Sequence, residues 1–138
     1  MKIEPYLFFD GNCEEALEFY CKALGAELVF SMRYKESPEP PPPGMVPPDY
    51  GDKIMHASIT LGDTRLMAAD GCGAHKRFEG FSLSIGAKDE EEARRFFSAL
   101  SEGGKVEMPL GKTFFSPCFG MVTDKFGLGW MVIVQDQK

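Results

Sequence analysis

Two similar fragments decide the fold: Asn12-Cys-Glu-Glu-Ala-Leu-Glu-Phe-Tyr20 in the first half of the chain and Asp89-Glu-Glu-Glu-Ala-Arg-Arg-Phe-Phe97 in the second. Each opens with a residue whose side-chain oxygen can accept a hydrogen bond from the exposed amides of a first helical turn. Each then places acidic residues where they oppose the positive end of the helix dipole. In both fragments an alanine and an aromatic pair fall on one helical face. We therefore predict helices over 12–24 and 89–102, each capped by its first residue.

The same order of elements surrounds both helices. Apolar and alternating runs predict strands in the first half at 3–9, 27–34, 53–61 and 64–69, and in the second half at 78–86, 105–110, 114–123 and 128–134. Gly62-Asp63 is a tight-turn signal, and Asp124-Lys-Phe-Gly127 marks a second hairpin. Both halves are thus predicted to have the order βαβββ, which is an internal repeat of structure more than of residue identity.

Chain length and the glycine-rich and proline-rich segments indicate the domain boundaries. A chain of 138 residues suits a single domain over 1–138. Within it, the first module covers 1–70 and the second covers 78–138, joined by a glycine-rich connector. The proline-rich loop at 37–49 cannot form helix or a paired strand. It is a flap over a pocket, a ligand for a proline-binding module, or an exposed insertion; the apolar Met45 and Val46 within it favour a flap.

Composition excludes several classes of protein. The formal net charge of −6 argues against binding to nucleic acid, which needs clustered cations. No apolar run approaches the roughly 20 residues that span a bilayer, and the N-terminus lacks the core of a signal peptide, so we expect a cytoplasmic protein without membrane contact. The cysteines, at 13, 21, 72 and 118, form no CxxC and no zinc spacing and are expected to be free thiols.

Several short segments carry a family resemblance that extends over nearly the whole chain. They are Pro5-Tyr-Leu-Phe-Phe9, Ala16-x-x-Phe-Tyr20, Leu24-Gly25-Ala26, Met55-His-Ala57, Leu66-Met67 with Asp70, and Asp124-Lys-Phe-Gly127 with Trp130. With two βαβββ modules, the chain resembles the PhnB-like branch of the vicinal-oxygen-chelate superfamily, which includes glyoxalase I, extradiol dioxygenases and fosfomycin or bleomycin resistance proteins. The resemblance implies an α+β fold of curved mixed sheets related by a pseudo-twofold axis, a ligand cleft on their concave sides, and a homodimer.

The metal site of that superfamily has no counterpart at the matched positions. The resemblance places one metal ligand on each of four strands, at Pro5, Met67, one of 80–82 and Met131. None of these residues has a carboxylate or an imidazole, and a divalent ion needs several such donors together. We therefore expect no metal and no cofactor.

The remaining polar candidates lie around one hairpin. His56 stands beside Ser58 and Thr60 on the polar face of its strand, and the hairpin is expected to bring it near Ala69 or Asp70, depending on the length of the turn. This pair is either the polar anchor of the cleft or a structural contact. Strand alternation directs Phe119, Met121 and Met131 toward the cleft and Trp130 toward the helix. The full set of candidate ligand-binding residues is His56, Asp70, Ser58, Met67, Phe119, Met121, Met131 and Trp130.

Three functions follow from these patterns. The first is a metal-independent glyoxalase-fold protein that binds a small, partly apolar molecule in a cleft. The alternatives are a metal-dependent lyase or isomerase with off-pattern donors such as His56 and Asp70, and a non-catalytic interaction module acting through the proline-rich loop. A nucleophilic Cys118–His56 pair lacks any sign of an oxyanion hole. Some PhnB-like sequences are labelled ubiquinone methyltransferases, but no glycine-rich loop for a nucleotide-like methyl donor is present. Catalytic residues, and whether the chain is an enzyme, stay open.

Overall fold

The computed structural model describes residues 1–39, 46–71 and 77–135. The chain divides into two compact units, residues 1–76 and residues 77–138. Each unit is one four-stranded mixed sheet with one α-helix, which confirms the predicted α+β class and the βαβββ order.

The first unit has the sheet order β1-β4-β3-β2, in which β1 runs parallel to β4 and the other pairs are antiparallel. Its elements are β1 (Tyr6–Phe9), α1 (Cys13–Leu24), β2 (Glu27–Arg33), β3 (Ile54–Leu61) and β4 (Thr64–Asp70), with short 3-10 turns at Tyr34–Glu36 and Tyr50–Asp52. Gly25 ends α1 in the left-handed conformation, with φ 72°, as its sequence position predicted.

The second unit repeats this topology, with the order β5-β8-β7-β6 and a parallel β5–β8 pair. Its elements are β5 (Leu83–Ala87), α2 (Glu90–Ser101), β6 (Lys105–Gly111), β7 (Cys118–Thr123) and β8 (Gly129–Val134). A Cβ at Gly120 would lie 2.8 Å from Phe97 Cε2, so glycine lets α2 approach β7 closely. Val122, Trp130 and Val132 share this buried face.

Alternation along the strands separates a buried face from an outer face in the first unit. Leu17 of α1 lines one small pocket together with Leu28 and Ile54, which identifies the side of the sheet that α1 covers. Ile59 pairs with Leu28 and also with Leu66, and both Ile59 and Leu66 are buried. The residues that alternate with Ile59 along β3, and with Leu66 along β4, point away from α1. That outer face carries the candidate site.

The start of α1 is held in a way that the sequence did not predict. Asn12 makes no side-chain cap, so the expected cap is wrong. The carboxylate of Asp70, at the end of β4, takes its place: Oδ1 accepts from the amides of Gly11 and Cys13 at 2.8 and 2.9 Å, and Oδ2 accepts from the amide of Ile54 at 3.0 Å. In α2, by contrast, Asp89 Oδ1 accepts from the amide of Glu92 at 2.8 Å, so the predicted cap is confirmed there.

Three predicted strands begin several residues too early. The strand expected at 3–9 begins at Tyr6. The strand expected at 78–86 begins only at Leu83, after Gly80 turns the chain with φ 82°. The strand expected at 114–123 begins at Cys118, because Thr113 Oγ1 accepts from the amide of Ser116 at 3.1 Å and closes a turn. Side-chain hydroxyls of this kind compete with strand pairing for backbone donors.

Parts of two predicted connections lie outside the described residues. These are positions 40–45 of the proline-rich loop, including Met45, and positions 72–76 of the connector, including Cys72. Val46 is described, and its Cγ1 lies 2.7 Å from where a Cβ at Gly71 would stand, so glycine is required there.

Within the described ranges, no helix has the length and apolar character needed to cross a membrane.

We predict that Asp70→Ala lowers the free energy of unfolding by about 3–5 kcal/mol, because it leaves several buried amides without an acceptor. Urea denaturation followed by circular dichroism measures the loss. Asp52→Ala is the matched control, because Asp52 is an exposed carboxylate paired with Lys35, and its removal should cost much less than that of Asp70. Equal losses in the two variants would contradict the role given to Asp70.

Candidate functional site

A row of four side chains crosses the outer face of the first sheet. The register pairs Tyr6 of β1 with Met67 of β4, Met67 with Ser58 of β3, and Ser58 with Phe30 of β2. Paired residues share a face of a sheet, so the four side chains stand side by side. Ser58 is buried beneath its neighbours, while Tyr6 and Phe30 remain partly exposed.

His56 lies in the next row of the same face, opposite Met32 of β2. The hydroxyl of Tyr6 lies 2.9 Å from Nδ1 of His56, at hydrogen-bonding distance. Tyr6 and His56 stand on strands either side of β4, so this contact crosses β4 diagonally. The buried Ala69 of β4, which pairs with Phe8 of β1, is small enough to leave room for it.

Aromatic rings surround His56. The ring centroid of Tyr6 is 5.7 Å from that of His56 and 5.0 Å from that of Phe8, and the Phe30 ring is 5.9 Å from His56. These separations are typical of attractive aromatic pairs. Tyr6, Phe8 and Phe30 remain 38%, 37% and 45% exposed. We call Tyr6, Phe8, Phe30, His56 and Met67 together the aromatic face.

The predicted contact between His56 and Asp70 is wrong. Asp70 is 1% exposed and lies on the side of the sheet that α1 covers, and both of its carboxylate oxygens accept from backbone amides. Adjacent residues in a strand point to opposite faces, and Asp70 is one position past Ala69, the residue opposite His56. A tight hairpin therefore brought the two residues close along the strands while directing their side chains apart.

Sequence reasoning missed Tyr6, Phe8 and Phe30. In 6–9 every residue is apolar, so alternation gave no polar signal for which side faces outward. The signal that was available is topological: a βαβββ order places the first strand beside the fourth, which puts Tyr6 next to Met67.

The outer face of the second unit is apolar and rich in thioethers. Met121 pairs with Met108 on one side and Met131 on the other, and Met131 pairs with Ser84. Phe119 lies in the neighbouring row, with the ring of Phe115 5.0 Å from its own. Phe119, Met121 and Met131 thus share one face, as their alternation predicted.

Trp130 lies on the buried face of the second unit. It is 3% exposed, and its Nε1 donates to Oδ2 of Asp124 at 2.8 Å. Oδ1 of Asp124 accepts from the amides of Phe126 and Leu128, so this carboxylate holds the β7–β8 turn and the indole together. Trp130 therefore has a structural role, because its indole helps to hold the core of the second unit.

The described cysteines are poor nucleophiles. Cys13 and Cys118 are buried free thiols. Burial raises the pKa of the Cys13 thiol well above its usual range, and the nearby carboxylates of Asp70 and Glu14 add to the effect. Burial also raises the pKa of Cys118. A thiol held protonated does not attack carbonyl groups, so the Cys118–His56 hypothesis gains no support.

The small pocket that Leu17 lines lies between α1 and strands β2 and β3. It measures about 150 Å³ and is lined by Glu14, Leu17, Glu18, Cys21, Leu28, Ser31 and Ile54. Its Glu14 is already paired with Arg33 through a short Nη2–Oε2 contact. Sites for whole small ligands usually measure about 300–1,000 Å³. The cavity is therefore too small to be favoured over the aromatic face.

The residues present do not fit a divalent metal ion. In the ranges that the structure describes, no group of three or more histidine, cysteine or acidic side chains is placed to hold one. The outer-face positions on β1, β4 and β8 are Tyr6, Phe8, Met67 and Met131. Among the described residues of that face, His56 supplies the one imidazole, and the hydroxyl of Tyr6 lies at hydrogen-bonding distance from its Nδ1.

Two units of one mixed sheet and one helix, each in βαβββ order, define the fold of glyoxylase/bleomycin resistance protein/dioxygenase domains. A glyoxylase/bleomycin resistance protein/dioxygenase domain from Frankia sp. shares this fold, with a TM-score of 0.70 at 12% identity over 99% of this chain and 98% of the other. The chain belongs to the family described as 3-demethylubiquinone-9 3-methyltransferase, which it matches over residues 1–133. The resemblance to the PhnB-like branch is thereby confirmed.

Relatives of higher identity support this membership. The chain is 38% identical to Protein YjdN of Escherichia coli, over 100% of this chain and 98% of the relative. Protein PA1353 from Pseudomonas aeruginosa has a TM-score of 0.88 and 42% identity, covering 99% of each chain. A Bacillus cereus structure described as a putative 3-demethylubiquinone-9 3-methyltransferase, PhnB protein, has a TM-score of 0.81 and 31% identity, covering 97% of this chain and 99% of its own.

We predict that His56→Ala lowers the free energy of unfolding by only about 1 kcal/mol, because its hydrogen bond to Tyr6 is partly exposed to water. Chemical denaturation of the variant measures this value. Trp130→Phe is the contrasting variant: it leaves the buried Asp124 without one donor and should cost about 1–3 kcal/mol. A larger loss for His56→Ala than for Trp130→Phe would show that His56 is chiefly structural.

Proposed function

We propose that this chain binds a small, partly apolar molecule on the aromatic face of its first unit, without a metal ion. One observation carries the proposal: His56 contacts the partly exposed rings of Tyr6 and Phe30, and its Nδ1 is engaged by Tyr6. The ring of Phe8 stacks on Tyr6. Apolar surface with a few fixed polar groups is the usual composition of a small-molecule site, in which area supplies affinity and the polar groups supply orientation.

Several sequence candidates keep a place in this proposal. His56 supplies the polar contact, Met67 an adaptable apolar contact, and Ser58 the floor between Met67 and Phe30. Phe119, Met121 and Met131 share the corresponding outer face of the second unit, which is a separate apolar surface. Asp70 and Trp130 are left out, because their side chains are buried and engaged in holding the fold.

The alternative functions have less support. A metal-dependent lyase or isomerase would need His56 and Asp70 together, and they lie on opposite sides of the sheet. A role for the proline-rich loop depends on positions 40–45, which lie outside the described residues. Methyl transfer, which the family description suggests, would need a site for a methyl donor, such as a glycine-rich loop between a strand and a helix. Only Asp10 and Gly11 connect β1 to the cap of α1, and this connection is too short for such a loop.

The homodimer is proposed through the edge strand β2. Leu28, Val29 and Phe30 are three consecutive apolar residues, exposed by 56%, 60% and 45%. The equivalent edge strand β6 carries Lys105, Glu107 and Pro109, residue types that discourage strand pairing between molecules. An unprotected apolar edge favours association with another copy, and a symmetric contact uses it twice.

For ligand binding, we predict that the protein binds ethylbenzene, a small apolar probe, with a Kd in the millimolar range or below, and that Phe8→Ala weakens this binding roughly fivefold. The reason is that Phe8 presents apolar surface to the probe, and each Å² of apolar surface removed from water contributes about 25 cal/mol to the free energy of binding. Ligand-observed NMR titration after EDTA treatment measures Kd. Phe114→Ala, at a fully exposed ring of the second unit, is the control and should have no effect. Loss of binding with EDTA, or equal effects of the two variants, would contradict the proposal.

For assembly, we expect sedimentation equilibrium at micromolar concentration to give twice the chain mass of 15.3 kDa. Val29→Lys should shift the protein toward the monomer, because it places a charge in the apolar edge. Val106→Lys on β6 is the matched control and should leave the dimer intact. A monomeric wild-type protein would refute the dimer, and dissociation by Val106→Lys alone would place the interface elsewhere.

A further inference from the structure

The aromatic face has an oriented polar group as well as apolar surface. The hydrogen bond between Tyr6 and His56 determines which ring nitrogen of the imidazole carries the proton. A phenol is a better donor than a neutral imidazole N–H, and an imidazole nitrogen is a better acceptor than a phenol oxygen. The hydroxyl of Tyr6 therefore donates to Nδ1 of His56 across the 2.9 Å contact. A neutral imidazole carries one proton, so that proton resides on Nε2.

Nε2 of His56 is left to donate to something else. Within the described ranges, His56 takes part in one hydrogen bond, the contact of Nδ1 with Tyr6, and in ring contacts with Tyr6 and Phe30. The side chain is half-buried. The aromatic face therefore presents one oriented N–H donor among ring surfaces, and a complementary ligand has one acceptor atom attached to a flat apolar body.

The surroundings of this donor favour a neutral acceptor over an anion. The faces of aromatic rings are electron-rich and repel negative charge. The charged pair on the neighbouring part of the sheet is Arg65 with Glu4, whose Nη2–Oε1 distance is 3.3 Å, so the two charges offset each other. The chain as a whole carries a net charge of −6. A carboxylate or phosphate bound here would have one N–H donor, that of His56, and no unpaired cation among these groups to balance its charge.

We propose that the aromatic face binds small, flat, neutral carbonyl compounds, whose carbonyl oxygen accepts a hydrogen bond from Nε2 of His56. Tyr6 is a positioning residue, because it acts by fixing the imidazole tautomer and ring orientation. Phe8 and Phe30 supply the apolar surface on either side. This inference rests on the proposed function of the first unit and narrows its ligand class.

Acetophenone and ethylbenzene test the inference, because they differ only in that a carbonyl replaces a methylene group. We expect the wild-type protein to bind acetophenone roughly tenfold more tightly than ethylbenzene, which is the size of effect that one well-placed hydrogen bond gives. His56→Phe should remove this preference, because phenylalanine keeps an aromatic ring and lacks the N–H donor. Benzoate, the anionic probe, should bind more weakly than acetophenone.

Tyr6→Phe tests the positioning role separately. It keeps the ring and removes the hydroxyl, so it should reduce the preference for acetophenone over ethylbenzene. Nitrogen-15 NMR of the histidine ring should show the proton on Nε2 of His56 in the wild type and a mixture of tautomers in Tyr6→Phe; His56→Phe assigns the signals. Thermal melts confirm that each variant is folded.

The outcomes separate this inference from the proposed function. If ethylbenzene and acetophenone bind equally, or if His56→Phe weakens both equally, the ligand class is wrong while apolar binding stands. If benzoate binds most tightly, the site recognises anions, and the inference is overturned. If none of the probes binds, the proposed function itself fails. An unchanged tautomer in Tyr6→Phe would overturn the positioning role.

Discussion

The first unit depends on one buried carboxylate. Asp70 accepts hydrogen bonds from the amides of Gly11, Cys13 and Ile54, and its carbonyl oxygen accepts from the hydroxyl of Tyr34 at 2.5 Å. It therefore fixes the end of β4, the start of α1, the start of β3 and the turn after β2. A negative charge at the start of a helix is also favoured by the helix dipole. Because β4 lies between β1 and β3, the same anchor sets the strands that carry the aromatic face on the other side of the sheet.

The two units share a topology but are secured differently. In the second unit α2 is capped by its own Asp89, and the buried carboxylate is Asp124, which closes a hairpin and holds Trp130. Local sequence predicted both helices equally well, because Asn12 and Asp89 are both common caps. It could not show that a residue 57 positions beyond Cys13 would replace one of them. Such a substitution depends on how the strands meet, which periodicity does not encode.

The strands show the same division between what local pattern predicts and what it does not. Alternation in 53–61 placed His56 and Ser58 on one face and Ile59 on the other, and the structure has this arrangement. It could not supply the partner of His56, because Tyr6 reaches it from a strand that is distant in sequence. The turn at Thr113 was also missed, since a hydroxyl that bonds to the backbone leaves no periodic signal.

The parallel pairing of β1 with β4 has a consequence for how the protein is made. Tyr6 pairs with Met67, so β1 leaves the ribosome well before its partner strand β4 has been synthesised. Over that interval Leu7 and Phe9, both buried in the finished fold, lack their final neighbours. Long-range pairing of this kind slows folding and prolongs the exposure of apolar segments. Short apolar segments of the nascent first unit therefore stay exposed for longer than they would if β1 paired with the strand that follows it.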